Sequence, residues 1–195
     1  MNKLKKYELT NEIINHCGIT LYRIRALIDF LFVRKGDLGG YVECYGNLSQ
    51  EGHCWIYNDA MVYGNAKVYD NAKVYDNAEV YDNAKVYGNA IVSGTAKVYD
   101  NAKVYGNAIV SGDIQISHDA VIASNTDYVV FKNNLTSGRY FTYTFSNKRW
   151  QVGCFSGSSK NLLRIAKDRS DLHYQQYKIY VDLVKKLDKL RNRTE

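Results

Sequence analysis

Twelve consecutive six-residue phrases run from residue 56 to about residue 123, and a chain written this way can stack on itself in few ways. The phrase is Val-Tyr-Asp-Asn-Ala-Lys with small variations, as in AKVYDNAKVYDNAEVYDNAKVYGNAIVSG. An aliphatic residue recurs at Ile56, Val62, Val68, Val74, Val80, Val86, Val92, Val98, Val104, Val110, Ile116 and Ile122. Two places before most of them stands a small residue, usually alanine, from Ala60 to Ala120. Alternation over Ala, Lys, Val and Tyr is the period of a half-buried strand, with Ala and Val inward. The Asp-Asn or Gly-Asn pair that follows tolerates left-handed backbone and turns the chain. Three strand-and-corner units close an eighteen-residue triangular coil, and twelve phrases give four coils, a rod of about 20 Å at strand spacing.

The pattern aliphatic-x-x-x-small-x resembles the hexapeptide-repeat superfamily, and that resemblance implies a left-handed parallel β-helix. The expected fold is therefore mainly β, with a β-rich cap before the helix and an α+β cap after it. Residues 1–40 read as the N-terminal cap, with Tyr22, Ile24, Ala26, Ile28 and Phe30 on one face of a strand. Residues 41–125 read as the rod, beginning in a degenerate coil where Val42, Leu48 and Cys54 take the small-residue register. Residues 126–195 lose the repeat. DYVVFKN, RYFTYTF and RWQVGCF predict three strands, and KNLLRIAK and DLHYQQYKIYVDLVKKLDKL two helices. The second helix is expected to present an apolar face that includes Ile179, Leu183, Leu187 and Leu190.

The net charge of +6 hides a split. Residues 1–40 carry 7 basic and 4 acidic side chains, residues 41–125 carry 5 and 10, and residues 126–195 carry 14 and 6. A mildly acidic rod thus lies between basic segments, the strongest cationic field belonging to the last, with Lys185, Lys186, Lys189 and Arg191 as candidate anion contacts. The most apolar stretch, 13–33, carries His16, Arg23, Arg25 and Asp29, which excludes a membrane span there. No apolar signal core follows the first residues, and the four cysteines show no CxxC spacing, so a cytoplasmic, reduced protein is expected.

Outward side chains eighteen residues apart must form ladders. One face carries Lys67, Lys85 and Lys103 beside Tyr69, Tyr87 and Tyr105, a candidate surface for nucleic acid. A second carries Met61, Glu79, Lys97 and Gln115 beside Tyr63, Tyr81 and Tyr99. The third carries Trp55, Lys73, Ile91 and Ile109 beside Tyr57, Tyr75, Ser93 and Ser111. There Ile91, Ile109, Ser93 and Ser111 form a flat apolar strip that calls for cover by the C-terminal unit or a second subunit. Members of the superfamily often form trimers, so a homo-oligomer, dimer or trimer, is the expectation that the resemblance adds.

Its best-known members are acyltransferases that use a histidine as general base, often with a loop thrown out from a coil. Residues 56–117 hold no histidine and no insertion. His118 stands at a corner, and His16-Cys17 and His53-Cys54 are adjacent pairs that a strand points to opposite faces, so no metal site is expected. Cys154 has no evident orienting base. No cofactor motif is present, and catalysis is disfavoured.

Three stretches, LYRIRALIDF at 21–30, KGDLGGYVE at 35–43 and NLSQEGHCWIY at 47–57, look like the start of a bacterial and phage branch of β-helix proteins, often described as acyltransferases for their hexapeptides alone. WQVGCFSG at 150–157 and the helices after it are similar to a C-terminal unit of phage members. The resemblance implies a phage-type, non-catalytic binding protein that engages a host protein or nucleoprotein, one case being an anti-defence inhibitor of a CRISPR nuclease. An acyl-CoA-dependent acyltransferase and a self-assembling scaffold are the alternatives.

Overall fold

Every alanine of the repeat from Ala60 to Ala120, and every aliphatic residue two places on, is at most 1% exposed in a computed structural model that describes residues 4–192. The chain divides into two compact units, Met1–Asn125 and Thr126–Glu195. In the first, β1 (Tyr7–His16) and β2 (Ile19–Ala26) form an antiparallel hairpin that pairs with β3 (Leu38–Val42). Twelve short rungs follow, β4 (Trp55–Ile56), β5 (Met61–Val62), β6 (Lys67–Val68), β7 (Lys73–Val74), β8 (Glu79–Val80), β9 (Lys85–Val86), β10 (Ile91–Ser93), β11 (Lys97–Val98), β12 (Lys103–Val104), β13 (Ile109–Ser111), β14 (Gln115–Ile116) and β15 (Val121–Ile122).

They stack in three parallel sheets. The first face runs β3-β5-β8-β11-β14, extended by the hairpin to seven strands. The second runs β6-β9-β12-β15 and the third β4-β7-β10-β13. Register partners are eighteen residues apart, as in Val62 with Val80 and Lys67 with Lys85. The twelve phrases thus stack four deep on each of the three faces, and β3 adds a fifth level on the first.

The corners explain the Asp-Asn pairs. Asp70, Asp76, Asp82, Asp100 and His118 all take φ between +55° and +60°. Each aspartate then accepts a hydrogen bond from the corner N–H of the next coil: Gly88 onto Asp70 at 3.1 Å, Gly94 onto Asp76 at 3.0 Å, Asp100 onto Asp82 at 3.3 Å, His118 onto Asp100 at 2.9 Å. The asparagine beside it points outward and donates to its counterpart one coil on, in the rows Asn65–Asn83–Asn101 and Asn71–Asn89–Asn107, at 3.1–3.2 Å. One residue pair therefore sets the turn and ties successive coils together.

The beginning of the rod departs from the sequence reading. Val42 pairs with Val62 and Leu48 with Val68, each twenty residues ahead, so both occupy the valine register and not the small one. Trp55 pairs with Lys73, eighteen ahead, so the corner between Leu48 and Cys54 absorbs two extra residues. That corner is filled from outside by Lys6, only 2% exposed. Its Nζ donates to the carbonyls of Cys54 (3.0 Å) and Glu51 (3.3 Å) and lies 3.2 Å from Cys54 Sγ. Burial pulls the Lys6 ammonium below its ordinary range and pushes the Cys54 thiol up. Tyr7 beside it is fully buried and donates its hydroxyl to the Leu48 carbonyl at 2.7 Å. The predicted strand face also shifts. β2 ends at Ala26, and Leu21, Ile24 and Ala26 are its buried residues, because its pairing with β3 slips between Arg23 and Arg25.

In the second unit β16 (Tyr128–Lys132), β17 (Tyr140–Thr144), β18 (Arg149–Val152) and β19 (Phe155–Gly157) form an antiparallel meander, followed by α1 (Ser159–Arg169) and α2 (Asp171–Arg191). RWQVGCF is thus two strands, not one, because Gly153 at φ +57° turns the chain within it. Ser158 and Ser170 cap the helices, accepting from the N–H of Asn161 and His173 at 3.3 Å. The core gathers Phe141, Tyr143, Trp150, Leu162, Tyr177, Val181 and Val184. α2 packs with Tyr177, Val181 and Val184, whereas Ile179, Leu183 and Leu190, expected inward, are 65%, 41% and 57% exposed. Of the four residues named for that face, only Leu187 leans on the core.

Candidate functional site

The second face presents its outward lysines in one column. Lys67 pairs with Lys85 and Lys85 with Lys103 as direct register partners, and all three are exposed. Among the described residues no carboxylate lies within ion-pair distance of any of them. Beside them Tyr69, Tyr87 and Tyr105 stack at centroid distances of 4.8 and 5.0 Å, within 7° of parallel. Partial burial raises the Tyr69 and Tyr87 phenols above their ordinary value. Because the rings lie face to face, their π-surfaces are taken up within the column. A ligand meets ring edges, hydroxyls and ammonium groups, flanked by the two asparagine rows, and stacking platforms remain only at the column ends.

The other faces differ in how their charges are met. On the first, Glu79 is buried and receives Lys97 at 2.7 Å, His16 Nε2 at 3.5 Å and the Tyr63 hydroxyl at 3.1 Å. Burial and then the Glu79 charge push the Tyr63 phenol well up. This cluster pins the tip of the β1–β2 hairpin to the rod. Sequence reasoning missed it; the trace it leaves is the single Glu that replaces Lys in the repeat. On the third, Trp55 is buried under Tyr7 and Phe30, and Phe32 lies 5.8 Å from Lys73 Nζ. Above them Ile91 pairs with Ile109 and Ser93 with Ser111, and Ile109 is 41% exposed. The strip's lower end opens into a shallow groove lined by Leu31, His53, Lys73 and Ile91.

The C-terminal basic residues do not act alike. Arg191 donates to Asp127 at 3.0 Å and to the Thr126 carbonyl, and stacks 4.3 Å from the Phe145 ring, so it ties α2 to the strand that starts the unit. Lys185 lies 3.9 Å from Asp182. Lys186 and Lys189 are exposed, and the charge of Lys186, like those of Lys178 and Lys185, acts on Asp182. His118 holds a left-handed corner, its Nδ1 2.8 Å from Ser117 Oγ and 3.3 Å from Asp100. Cys154 is exposed beside Arg139 and Arg169 at the rim of an apolar pocket floored by Leu162 and Tyr177. Among the described residues no three His, Cys, Asp or Glu side chains converge as a metal site would need.

The family model for the YdcK beta solenoid repeat matches residues 96–112, about one coil of this rod. The chain is a β-helix repeat protein. No curated protein matches the β-helix repeat protein. Among its described residues no helix is long and apolar enough to cross a membrane.

Proposed function

We propose that this β-helix repeat protein is a non-catalytic binding protein that engages an anionic macromolecule through the lysine ladder of its second face. The observation that carries the reading is the column Lys67–Lys85–Lys103, stacked rung upon rung with no carboxylate in reach among the described residues. Like charges held at strand spacing repel, and a chain of phosphates relieves that repulsion while releasing counterions. The contrast with the first face supports this, since its one lysine in a comparable column, Lys97, is neutralised by Glu79. The resemblance of the N-terminal and C-terminal stretches to phage proteins supports a finer version: a phage anti-defence inhibitor acting in the host cytoplasm on a nucleoprotein such as a CRISPR nuclease.

The test is fluorescence anisotropy of a labelled single-stranded oligonucleotide with the full chain and with K67A/K85A/K103A. The triple variant is expected to bind roughly ten- to fifty-fold more weakly at 0.15 M salt, with a log–log salt slope shallower by about 2. Equal binding by both proteins at every salt concentration removes the ladder from the reading. Cleavage by a guide-loaded CRISPR nuclease, assayed with each protein present, tests the finer version; undiminished cleavage overturns it.

A further inference from the structure

The second unit carries an apolar seam that its own core does not use. Leu172, Ile179, Leu183 and Leu190 of α2 are 55%, 65%, 41% and 57% exposed. Their spacing is seven, four and seven residues, which at 3.6 residues per turn puts all four within an arc of about 40°. The buried residues Tyr177, Val181 and Val184 lie on the other side of the same helix. The seam runs eighteen residues, about 27 Å. A 7-4-7 repeat is the a/d pattern with which one helix receives another in left-handed packing.

Charge selects the partner. Along the open border of the seam stand Lys186 and Lys189, both exposed, Lys186 close enough for its charge to act on Asp182. Two acidic residues share that side, Asp171, which stands five turns before Lys189 at the same angle, and Asp182, which is engaged by Lys178 at 2.8 Å and Lys185 at 3.9 Å, so four lysines there outnumber two aspartates. A second copy would set this border against itself and bring together two segments that each carry 14 basic and 6 acidic residues. We infer that the seam of α2 receives an amphipathic helix of a partner protein whose flanking positions are acidic. This surface is separate from the lysine ladder of the rod, and each stands or falls without the other.

The probe is a labelled 21-residue peptide with leucine at heptad positions a and d and glutamate at e and g, compared with its twin carrying lysine at e and g. The full chain is expected to bind the acidic peptide and not the basic one, more weakly as salt rises. I179D/L183D, at exposed positions that leave the circular dichroism and melting temperature near wild type, should weaken binding at least tenfold. K186E/K189E keeps the apolar seam and should exchange the preference, losing the acidic peptide and gaining the basic one. Three results overturn the inference: no binding of the acidic peptide at 100 µM; equal binding of both peptides; or a dimer in sedimentation equilibrium that I179D/L183D dissociates, which would make a second copy the occupant.

Discussion

A Cβ built on Gly40 would stand 2.4 Å from the Ala60 carbonyl oxygen, and one on Gly39 would stand 2.6 Å from that of Ile56. Backbone cannot yield as a side-chain tip can, so β3 joins the rod only where no side chain intervenes. Gly40→Ala is expected to cost about 1–3 kcal/mol, the range for forcing an extra methyl into a packed interior. Gly46→Ala is the control, since its Cβ would meet only the Cys44 sulfur at 3.4 Å. Differential scanning calorimetry of both should show a lower melting temperature for the first, by roughly 2–4 °C per kcal/mol, and little change for the second. Equal melting temperatures would mean that the start of the rod is loosely held.

The tyrosine columns behave as elements. Tyr57 stacks on Tyr75 at 4.3 Å, and burial first, then its neighbour's phenol, pushes it up to about 12 from an ordinary 10.0. Burial shifts Tyr63 and Tyr81 in the same direction. A phenol with a higher pKa folded than unfolded stabilises the fold fully below pH 10 and loses that contribution as pH climbs towards 12. Thermal melts should therefore be flat in pH up to about 10 and fall steeply above it, with a shallower fall in Tyr57→Phe. A melting temperature unchanged between pH 9 and 11.5 would mean that the columns titrate as free phenols. These columns were legible from the eighteen-residue spacing, as was the buried Ala and Val register. The hairpin strand β1 was not, because its pairing with β2 shifts between Leu9 and Ile13 and breaks the alternation. The packed side of α2 was not legible either. Tyr177, Val181 and Val184 compete with Ile179, Leu183 and Leu190 around one helix, and periodicity alone cannot say which set meets a sheet. The Glu79–His16 contact joins residues 63 positions apart, beyond any local pattern.

Over the whole molecule, the two units have separate interiors of different kinds. The rod is a column of Ala and Val with each coil resting on its neighbours, whereas the described residues from 126 to 192 fold around an aromatic cluster centred on Phe141 and Trp150. Each unit holds one of the two tryptophans fully inside it: Trp55 is 1% exposed and Trp150 0%. Single-tryptophan variants can therefore read the units separately, W150F reporting the rod and W55F the C-terminal unit. Urea dependence scales with the surface exposed on unfolding, so the 125-residue unit should give the steeper transition and the 70-residue unit the shallower one. The midpoints should also differ, because in a repeat array stability is the sum of coil-on-coil contacts, whereas the second unit depends on one cluster. Trp150 anchors that cluster through its indole N–H, which donates to Ser159 Oγ at 2.9 Å, so S159A is expected to lower the midpoint read by Trp150 and to leave the one read by Trp55 in place. Coincident curves that move together in S159A would show that the rod and the C-terminal unit unfold as one.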